Sequence, residues 1–444
     1  MPVKSAPGAL PVGSLERGPE AGAPAVSAEM ACRIATPAYV YDLAEVRRAH
    51  RLLRDGLPVG AGLYYSLKAN AHPLVLEESR ACGTLPEVCS AGELDSALAA
   101  GWAAADVLYG GPGRRDADVA RAVRLGVRHF SVDSPVALDQ LDRCAAAAGA
   151  RCSALLRVND DSPVPGQGLA MTGVPSQFGA DAAWILADPA AFAPRHHADV
   201  TGLHLYMGTN LATVDDLVRQ FAQSARTAAR VAAALAPHGA RLETLDLGGG
   251  FGAPFARAGG SICLDGLAPR LTTLLDEVFP GPGGPRVVFE SGRYLTATAG
   301  TLYTRVLDVK RSQGRTVVVL ESGVNHLGGM SGMRRLPPLS PELIRPGHGT
   351  AGDDGCAERD VLVAGPLCTP LDTWSRAATL PPLRVGDVLA VPNVGAYGLN
   401  ASLVAFLGHP LPGEYVVDGD RGPDTVIHHS RLHLGRVTTE GNLA

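Results

Sequence analysis

LETLDLGGGFG, residues 242–252, reads as a short apolar strand running straight into a glycine-rich turn. Outward from it, seven further segments have a comparable build: GLYYSL (62–67), PEVCS (86–90), DVLYGG (106–111), VRHFSVD (127–133), CSALLRVN (152–159), TGLHLYMG (201–208) and RVVFESG (286–292). Amphipathic or alanine-rich helical patterns separate them. Two of the helix starts are marked by capping-box spacing, Ser90 with Glu93 and Asp42 with Glu45. Strands that alternate with helices form a parallel sheet, because each parallel connection needs a helix-length crossover. Eight such units with near-continuous apolar strands predict a closed (β/α)8 barrel, placed here at residues 45–293.

From about Tyr294 the pattern changes. TLYTRVLDVK, RTVVVLES, RDVLVAGPLC, DVLAVPNVGAY and GEYVVDG are strand-like and broken by turn signals, and the early stretch TPAYVYD (36–42) has the same character. The expectation is an α/β chain in which the barrel is followed by a C-terminal β-sandwich or β-barrel domain, residues 294–444. Residues 31–44 would lend that domain an N-terminal strand. Residues 1–30, rich in Pro, Gly, Ala and Ser, are expected to form a mobile leader, and 334–359 a long polar loop.

Composition removes several classes of function. At 444 residues and 46% hydrophobic, the chain can bury a sizeable core and suits two domains. A net charge of -5 leaves no basic footprint for nucleic acid. No uncharged apolar run is long enough to span a membrane, and the N-terminus lacks the apolar region of a secretory signal. The eight cysteines are scattered, without a CxxC pair or a Cys/His cluster at zinc spacing, so neither a metal site nor a disulfide framework is expected. That pattern suits a reduced, cytoplasmic protein.

Active sites on such barrels form at the C-terminal ends of the strands. Lys68 stands there after the first strand, and Arg157 after the fifth. His204 and Tyr206 belong to the sixth, Asp246 with Gly248, Gly249 and Gly250 to the seventh, and Glu290 with Arg293 behind it to the eighth. A glycine-rich turn lets backbone N–H groups approach a phosphate, and barrel phosphate sites commonly follow strands seven and eight. The chain's lysines are Lys4, Lys68 and Lys310, against a large excess of arginine, and only Lys68 ends a barrel strand. A lysine kept in so arginine-biased a chain points to amine chemistry that guanidinium cannot perform.

YYSLKAN, EVCSAGEL, LDLGGGFG, FESGRY, GPLCTPLD and VGAYGLNAS occur in that order. Together they resemble the fold-type III pyridoxal 5'-phosphate (PLP) decarboxylases, the family of diaminopimelate, ornithine and arginine decarboxylases, from about Thr36 to about Val417. The resemblance implies an alanine racemase-like barrel with a β domain, a PLP cofactor and a homodimer with shared active sites. It also implies roles for single residues. Lys68 would hold the cofactor, and Gly248, Gly249 and Gly250 would bind its phosphate with Arg293 and Tyr397 nearby. Glu290 would pair with the ring nitrogen, and His204 and Tyr206 lie on the strand that packs against the ring. Cys368 would return a proton to the substrate's Cα, while Arg157, His326, Thr369 and Asp372 would line the substrate.

The chain also departs from the pattern. Many relatives have HxHxGS where this chain has His204-Leu205-Tyr206-Met207-Gly208-Thr209, so a phenol replaces the second imidazole. SKFG has become Ser176-Gln177-Phe178-Gly179. Thr369 stands where ornithine and diaminopimelate decarboxylases carry an acid, and ESGV (321–324) lacks the aspartate that ornithine decarboxylases use near the distal amine. CTPLD and AFLGHP (405–410) look more like a subgroup that acts on derivatised or carrier-tethered amino acids. The alternatives are a diaminopimelate decarboxylase, an amino-acid racemase and a catalytically dead regulatory homologue. Glu290 opposes the racemase, since that class usually sets an arginine at the ring nitrogen. Retention of Lys68, Glu290 and Cys368 opposes the dead homologue.

Overall fold

The computed structural model describes residues 26–160, 173–328, 340–347, 357–422 and 424–436. Strand β1 (Ala38–Asp42) belongs to the second of two sheets. The first sheet contains β2 (Gly62–Ser66), β3 (Leu85–Val88), β4 (Leu108–Tyr109), β5 (His129–Val132), β6 (Cys152–Asn159), a two-residue β7 (Ala180–Asp181), β8 (Ala198–Leu205), β9 (Thr244–Asp246) and β10 (Arg286–Ser291). Neighbours pair in parallel, and the β5–β6 and β10–β2 pairings close the ring, with β7 as an appendage on β6. The eight closing strands are the eight read from the sequence.

Side chains alternate across a strand, so each barrel strand has an inner and an outer row. The outer rows, including Leu63, Tyr65, Val88, Phe130, Leu156, Leu203 and Phe289, pack against helix residues such as Leu53, Leu94, Leu138, Leu217 and Leu271. Inside, Tyr64, Leu108, Leu155 and Val288 form an apolar layer. One step up the same rows the wall turns polar, at Ser66, Arg157 and Glu290. Register adds Glu87 opposite Ser66, and His204 between Arg157 and Asp246. A buried apolar side chain stabilises by about 1.5–3 kcal/mol, so a ring of buried polar groups forgoes stability and needs another reason to exist.

The second sheet runs β14-β13-β12-β11-β1-β16-β17, with β15 also paired to β11. Its C-terminal strands are β11 (Gly300–Ser312), β12 (Arg315–Leu320), β13 (Glu358–Ala364), β14 (Thr373–Leu380), β15 (Val388–Val391), β16 (Gly413–Val417) and β17 (Val426–Arg431). β1 lies between β11, antiparallel, and β16, parallel. Tyr39, Leu302, Val318, Val363, Trp374 and Val391 form its core. Sequence reading missed β14 and β17, which lie at the two ends of the sheet. Neither has a continuous apolar face: β14 buries Trp374 and Leu380 alone, and β17 buries no residue.

Residues 1–25 of the expected leader lie outside the described residues, but its last residues enter a helix, Ala28–Arg33, with Ser27 as N-cap. Of the expected loop at 334–359, residues 334–339 and 348–356 lie outside the described residues. Within its described part, Ile344 bridges to Ala390 on β15, and β13 begins at Glu358. Among the described residues no disulfide forms, and no helix is long and apolar enough to cross a membrane.

Candidate active site

β2 ends in a 3-10 turn, Leu67–Ala69, that lifts Lys68 to the barrel mouth with its side chain 47% exposed. The β domain of the same chain grips this turn. Asn400 Nδ2 donates to the Lys68 carbonyl at 2.7 Å, the Tyr397 amide to the Ala69 carbonyl at 2.8 Å, and Asn70 Nδ2 to the Gly395 carbonyl at 2.8 Å. Lys68 Nζ lies 3.3 Å from Glu87 Oε2, and the Cys89 thiol donates to Glu87 Oε1 at 2.9 Å. Partial loss of water at the mouth works against the lysine's charge, but Glu87, helped by Cys89, Tyr397 and Glu290, outweighs it and holds the amine well above its ordinary pKa. Burial likewise pushes Glu87 up, yet Lys68 and the bonds from Cys89 and Ser66 bring it below the usual carboxylate range.

The floor of the mouth is made by His204, Asp246 and Glu290, all buried, with one ligand atom from each within 4.8 Å of the others. Ser131 Oγ is 2.8 Å from His204 Nδ1, and His204 Nε2 is 3.6 Å from Glu290 Oε1. Burial, then the nearby Asp246 and Glu87, push Glu290 well above the carboxylate range. Burial also raises Asp246, to about 7, against the Gly248 amide that favours its charge. Burial and the cations Arg157 and Lys68 keep His204 neutral. Arg157 itself stacks over Phe178, 4.6 Å from the ring centroid.

The glycine-rich turn after β9 is shaped by sterics. A Cβ at Gly248 would fall 2.6 Å from Tyr206 Cδ2, and one at Gly249 would fall 2.4 Å from the Glu290 carbonyl oxygen. The Tyr206 ring therefore lies directly on the turn, above the His204 layer. Gly248 and Gly250 have φ of 64° and 113°, where side chains are strained. Among the described residues the amides of Gly249 and Gly250 have no acceptor. The Gly248 amide does not share that freedom, because it donates to Asp246 Oδ1 at 2.8 Å. Of the three glycine amides expected to meet a phosphate, those of Gly249 and Gly250 are thus the unengaged pair. Arg293 stacks 4.9 Å above the Tyr397 ring, and its buried Nε has no partner among the described residues. Tyr397 holds φ at 57°, a strained conformation that the hydrogen bond from its N–H to the Ala69 carbonyl helps maintain.

The GPLCTPLD segment follows β13. Cys368 and Leu371 are exposed at its tip, Leu371 at 80%. Asp372, expected to face substrate, is instead buried beneath the tip. Its Oδ1 accepts the Val324 amide and its Oδ2 the Leu367 amide, each at 2.8 Å, so both oxygens are engaged. Bare Gly323 and Gly365 make the room for it, since a Cβ on either would lie 2.3 Å from a carboxylate oxygen. His326 is another residue expected to line the substrate. It is buried in the β domain, with Nε2 2.9 Å from the Pro410 carbonyl and Nδ1 3.3 Å from Ser322 Oγ.

A lysine amine at the mouth, a buried acid floor, two unengaged glycine amides and a stacked arginine fit an aldehyde cofactor with a basic ring nitrogen and a phosphate. The orphaned buried atoms His204 Nε2, Asp246 Oδ2 and Glu290 Oε1 mark where polar partners are missing. Residues 43–297 match the family model described as pyridoxal-dependent decarboxylase, pyridoxal binding domain. The chain belongs to this decarboxylase family. Among its relatives is the L-glutamyl-[BtrI acyl-carrier protein] decarboxylase of Niallia circulans, 31% identical over 86% of this chain and 89% of that protein. Another is the 2-[(L-alanin-3-ylcarbamoyl)methyl]-2-hydroxybutanedioate decarboxylase of Staphylococcus aureus, 28% identical over 84% and 92%. The solved structure of Helicobacter pylori diaminopimelate decarboxylase with L-lysine superposes with a TM-score of 0.74 at 23% identity, covering 88% of this chain and 93% of that one.

For a pyridoxal-dependent decarboxylase, sequence reading had overlooked Glu87, Cys89 and Ser131. Each stands near the end of a strand it had identified, and the inward alternation from Leu85 to Glu87 was the available signal. Nothing local in the sequence marks Asn70 or Asn400 as the clamp of the Lys68 turn.

Proposed function

We propose that this pyridoxal-dependent decarboxylase removes the α-carboxylate of an amino acid whose distal end is derivatised or tethered to a carrier, and that it works in the cytoplasm as a homodimer. The observation that carries the substrate reading is the engagement of Asp372. Thr369 already stands where an acid would meet a distal ammonium, and Asp372, the nearest acid in the segment, has both oxygens on backbone amides. The segment therefore offers no carboxylate to a diamine-forming substrate. The substrates named for the Niallia and Staphylococcus relatives, a glutamyl group on a carrier and a carbamoyl-linked alanine, lack a free distal ammonium at that place and support the same reading.

In this reading Lys68 binds the cofactor and Glu290 holds the proton at its ring nitrogen. The Gly249 and Gly250 amides, with Arg293, would hold its phosphate, and the Tyr206 ring, which lies on that turn, would contact it. PLP, when bound, supplies the electron sink that makes loss of CO2 feasible. Cys368 delivers a proton to the substrate Cα. Its exposure with Leu371 at a loop tip supports a composite site in which the tip enters the barrel mouth of a second copy.

The test is a CO2-release assay on PLP-loaded protein with L-ornithine, L-lysine, diaminopimelate and amino acids carrying a neutral amide or carrier thioester at the distal end. A charge left without its buried partner costs about 2–5 kcal/mol. The derivatised substrates should therefore exceed ornithine and lysine in kcat/KM by at least about thirtyfold. Comparable turnover of ornithine overturns the reading. Preference for diaminopimelate replaces it with diaminopimelate decarboxylation, and loss of substrate chirality without CO2 replaces it with racemisation.

A further inference from the structure

Ser131 and His204 have no task in the chemistry above, yet they occupy the costliest place in the barrel. His204 is 3% exposed, Ser131 2%. Ser131 Oγ meets His204 Nδ1 at 2.8 Å, and on the far side of the ring His204 Nε2 faces Glu290 Oε1 at 3.6 Å. Neither of those last two atoms has a hydrogen-bond partner among the described residues.

Counting donors sets the direction of the chain. The Ser131 hydroxyl hydrogen has one acceptor within reach among the described residues, His204 Nδ1. If the hydroxyl donates, Nδ1 is bare, and a neutral imidazole then carries its single proton on Nε2. That proton points at Glu290. The opposite tautomer would set two lone pairs, Nε2 and Oε1, against each other in a buried site, and would leave the serine hydrogen with no acceptor. Burial, then Arg157 and Lys68, oppose a charge on the ring, so His204 acts as a neutral donor.

We propose that Ser131 and His204 are positioning residues for Glu290: the serine hydroxyl selects the imidazole tautomer, and the Nε2 proton holds the Glu290 carboxylate in the orientation and ionised form that would keep the cofactor's ring nitrogen protonated. The inference rests on the assignment of Glu290 to that nitrogen. Its physical need is plain from the floor's composition. Burial and the neighbouring Asp246 both favour a protonated, neutral Glu290, which would be a poor partner for a ring cation. A donor fixed on one oxygen works against that tendency, since a hydrogen bond to the charged form favours it. The gap of 3.6 Å is one that a small movement of either side chain closes.

The test uses full-length protein loaded with PLP labelled with 15N in the ring, and reads protonation of that nitrogen by NMR alongside the PLP dissociation constant. Wild type and His204→Gln, which places an amide N–H near the Nε2 position, should show a protonated ring nitrogen. Ser131→Ala and His204→Phe should shift it toward the unprotonated form and weaken PLP binding by about tenfold to a hundredfold, the loss of one hydrogen bond to a charged group. Melting curves confirm that each variant is folded, and should His204→Phe fail to fold, Ser131→Ala and His204→Gln decide the matter. In the apoprotein, ring 15N shifts should report His204 with its proton on Nε2; a proton on Nδ1 overturns the proposal. Weaker PLP binding with an unchanged ring nitrogen means His204 only fills space, and also overturns it. Glu290→Gln separates this inference from the reading beneath it. If that variant leaves the ring nitrogen unchanged, the assignment of Glu290 falls. If it alters the nitrogen while Ser131→Ala and His204→Phe do not, only the relay falls.

Discussion

Lys68 and Asp372 show how far a side chain's surroundings decide its role. Lys68 keeps a strong proton affinity because Glu87 faces it 3.3 Å away, so the resting amine is charged and must lose a proton before it can attack an aldehyde. Borohydride reduction of the PLP-loaded protein, followed by peptide mapping, should place the label on Lys68 and leave Lys310 unlabelled; label on Lys310, or none, removes Lys68 from its role. Asp372 leads to a different expectation. Two backbone amides depend on its oxygens, and a hydrogen bond to a charged group is worth about 1.5–3 kcal/mol. Asp372→Asn should lower stability by about 2 kcal/mol, and also lower kcat by displacing the Cys368 loop, with PLP affinity unchanged. A rise in KM without any change in melting temperature would instead put Asp372 against the substrate.

At the level of strands and helices, burial also sets how the fold responds to acid. His50, on the helix Leu43–Asp55, is buried with Nδ1 2.8 Å from the Val46 carbonyl, and burial lowers its pKa to about 4, only partly offset by that carbonyl. The unfolded chain therefore binds this proton at higher pH than the folded chain does. The stabilisation is whole above about 6.5 and is lost as pH falls toward 4, amounting to about 2 kcal/mol at pH 5. Acids whose pKa is raised by desolvation, such as half-buried Glu93 and buried Glu414, act in the opposite sense, so the check is a difference. Between pH 7.5 and 5, His50→Gln should lose less stability than wild type in denaturant titrations, and equal losses would show that His50 does not titrate. The same burial governs what could be read in advance. The barrel strands are covered on both faces, so CSALLRVN and RVVFESG appear as near-continuous apolar runs. The terminal strands β14 and β17 leave no such trace. In the site, Lys68, Glu290 and the glycine turn were legible because residue type and strand end coincide. Glu87 was not, because only the pairing of Ser66 with Glu87 brings it under the lysine. Asp372 was placed by its motif, but a motif carries no direction, and the side chain turns inward.

For the molecule as a whole, the open question is whether one chain completes its own site. Lys68 is clamped by the β domain of its own chain through Tyr397, Asn400 and Gly395, so that part of the domain already serves the barrel in cis. The Cys368 tip is a different part of the same domain, and its exposed thiol and Leu371 suit insertion into another copy. A twofold dimer would then hold two equivalent composite sites, each with Lys68 from one chain and Cys368 from the other. Mixing tests this directly. Lys68→Ala and Cys368→Ala homodimers should each be nearly inactive, since every site lacks one group. After dissociation and re-association, a mixed dimer has one site missing both groups and one site intact. Random pairing makes roughly half of the dimers mixed, each with one good site of two, so activity should return to about a quarter of wild type. The figure assumes that both variants keep their fold and dimer affinity, which melting curves and sedimentation can verify. If the mixture stays as inactive as its parents while labelled subunits demonstrably exchange, Cys368 serves its own chain or takes no part in the reaction.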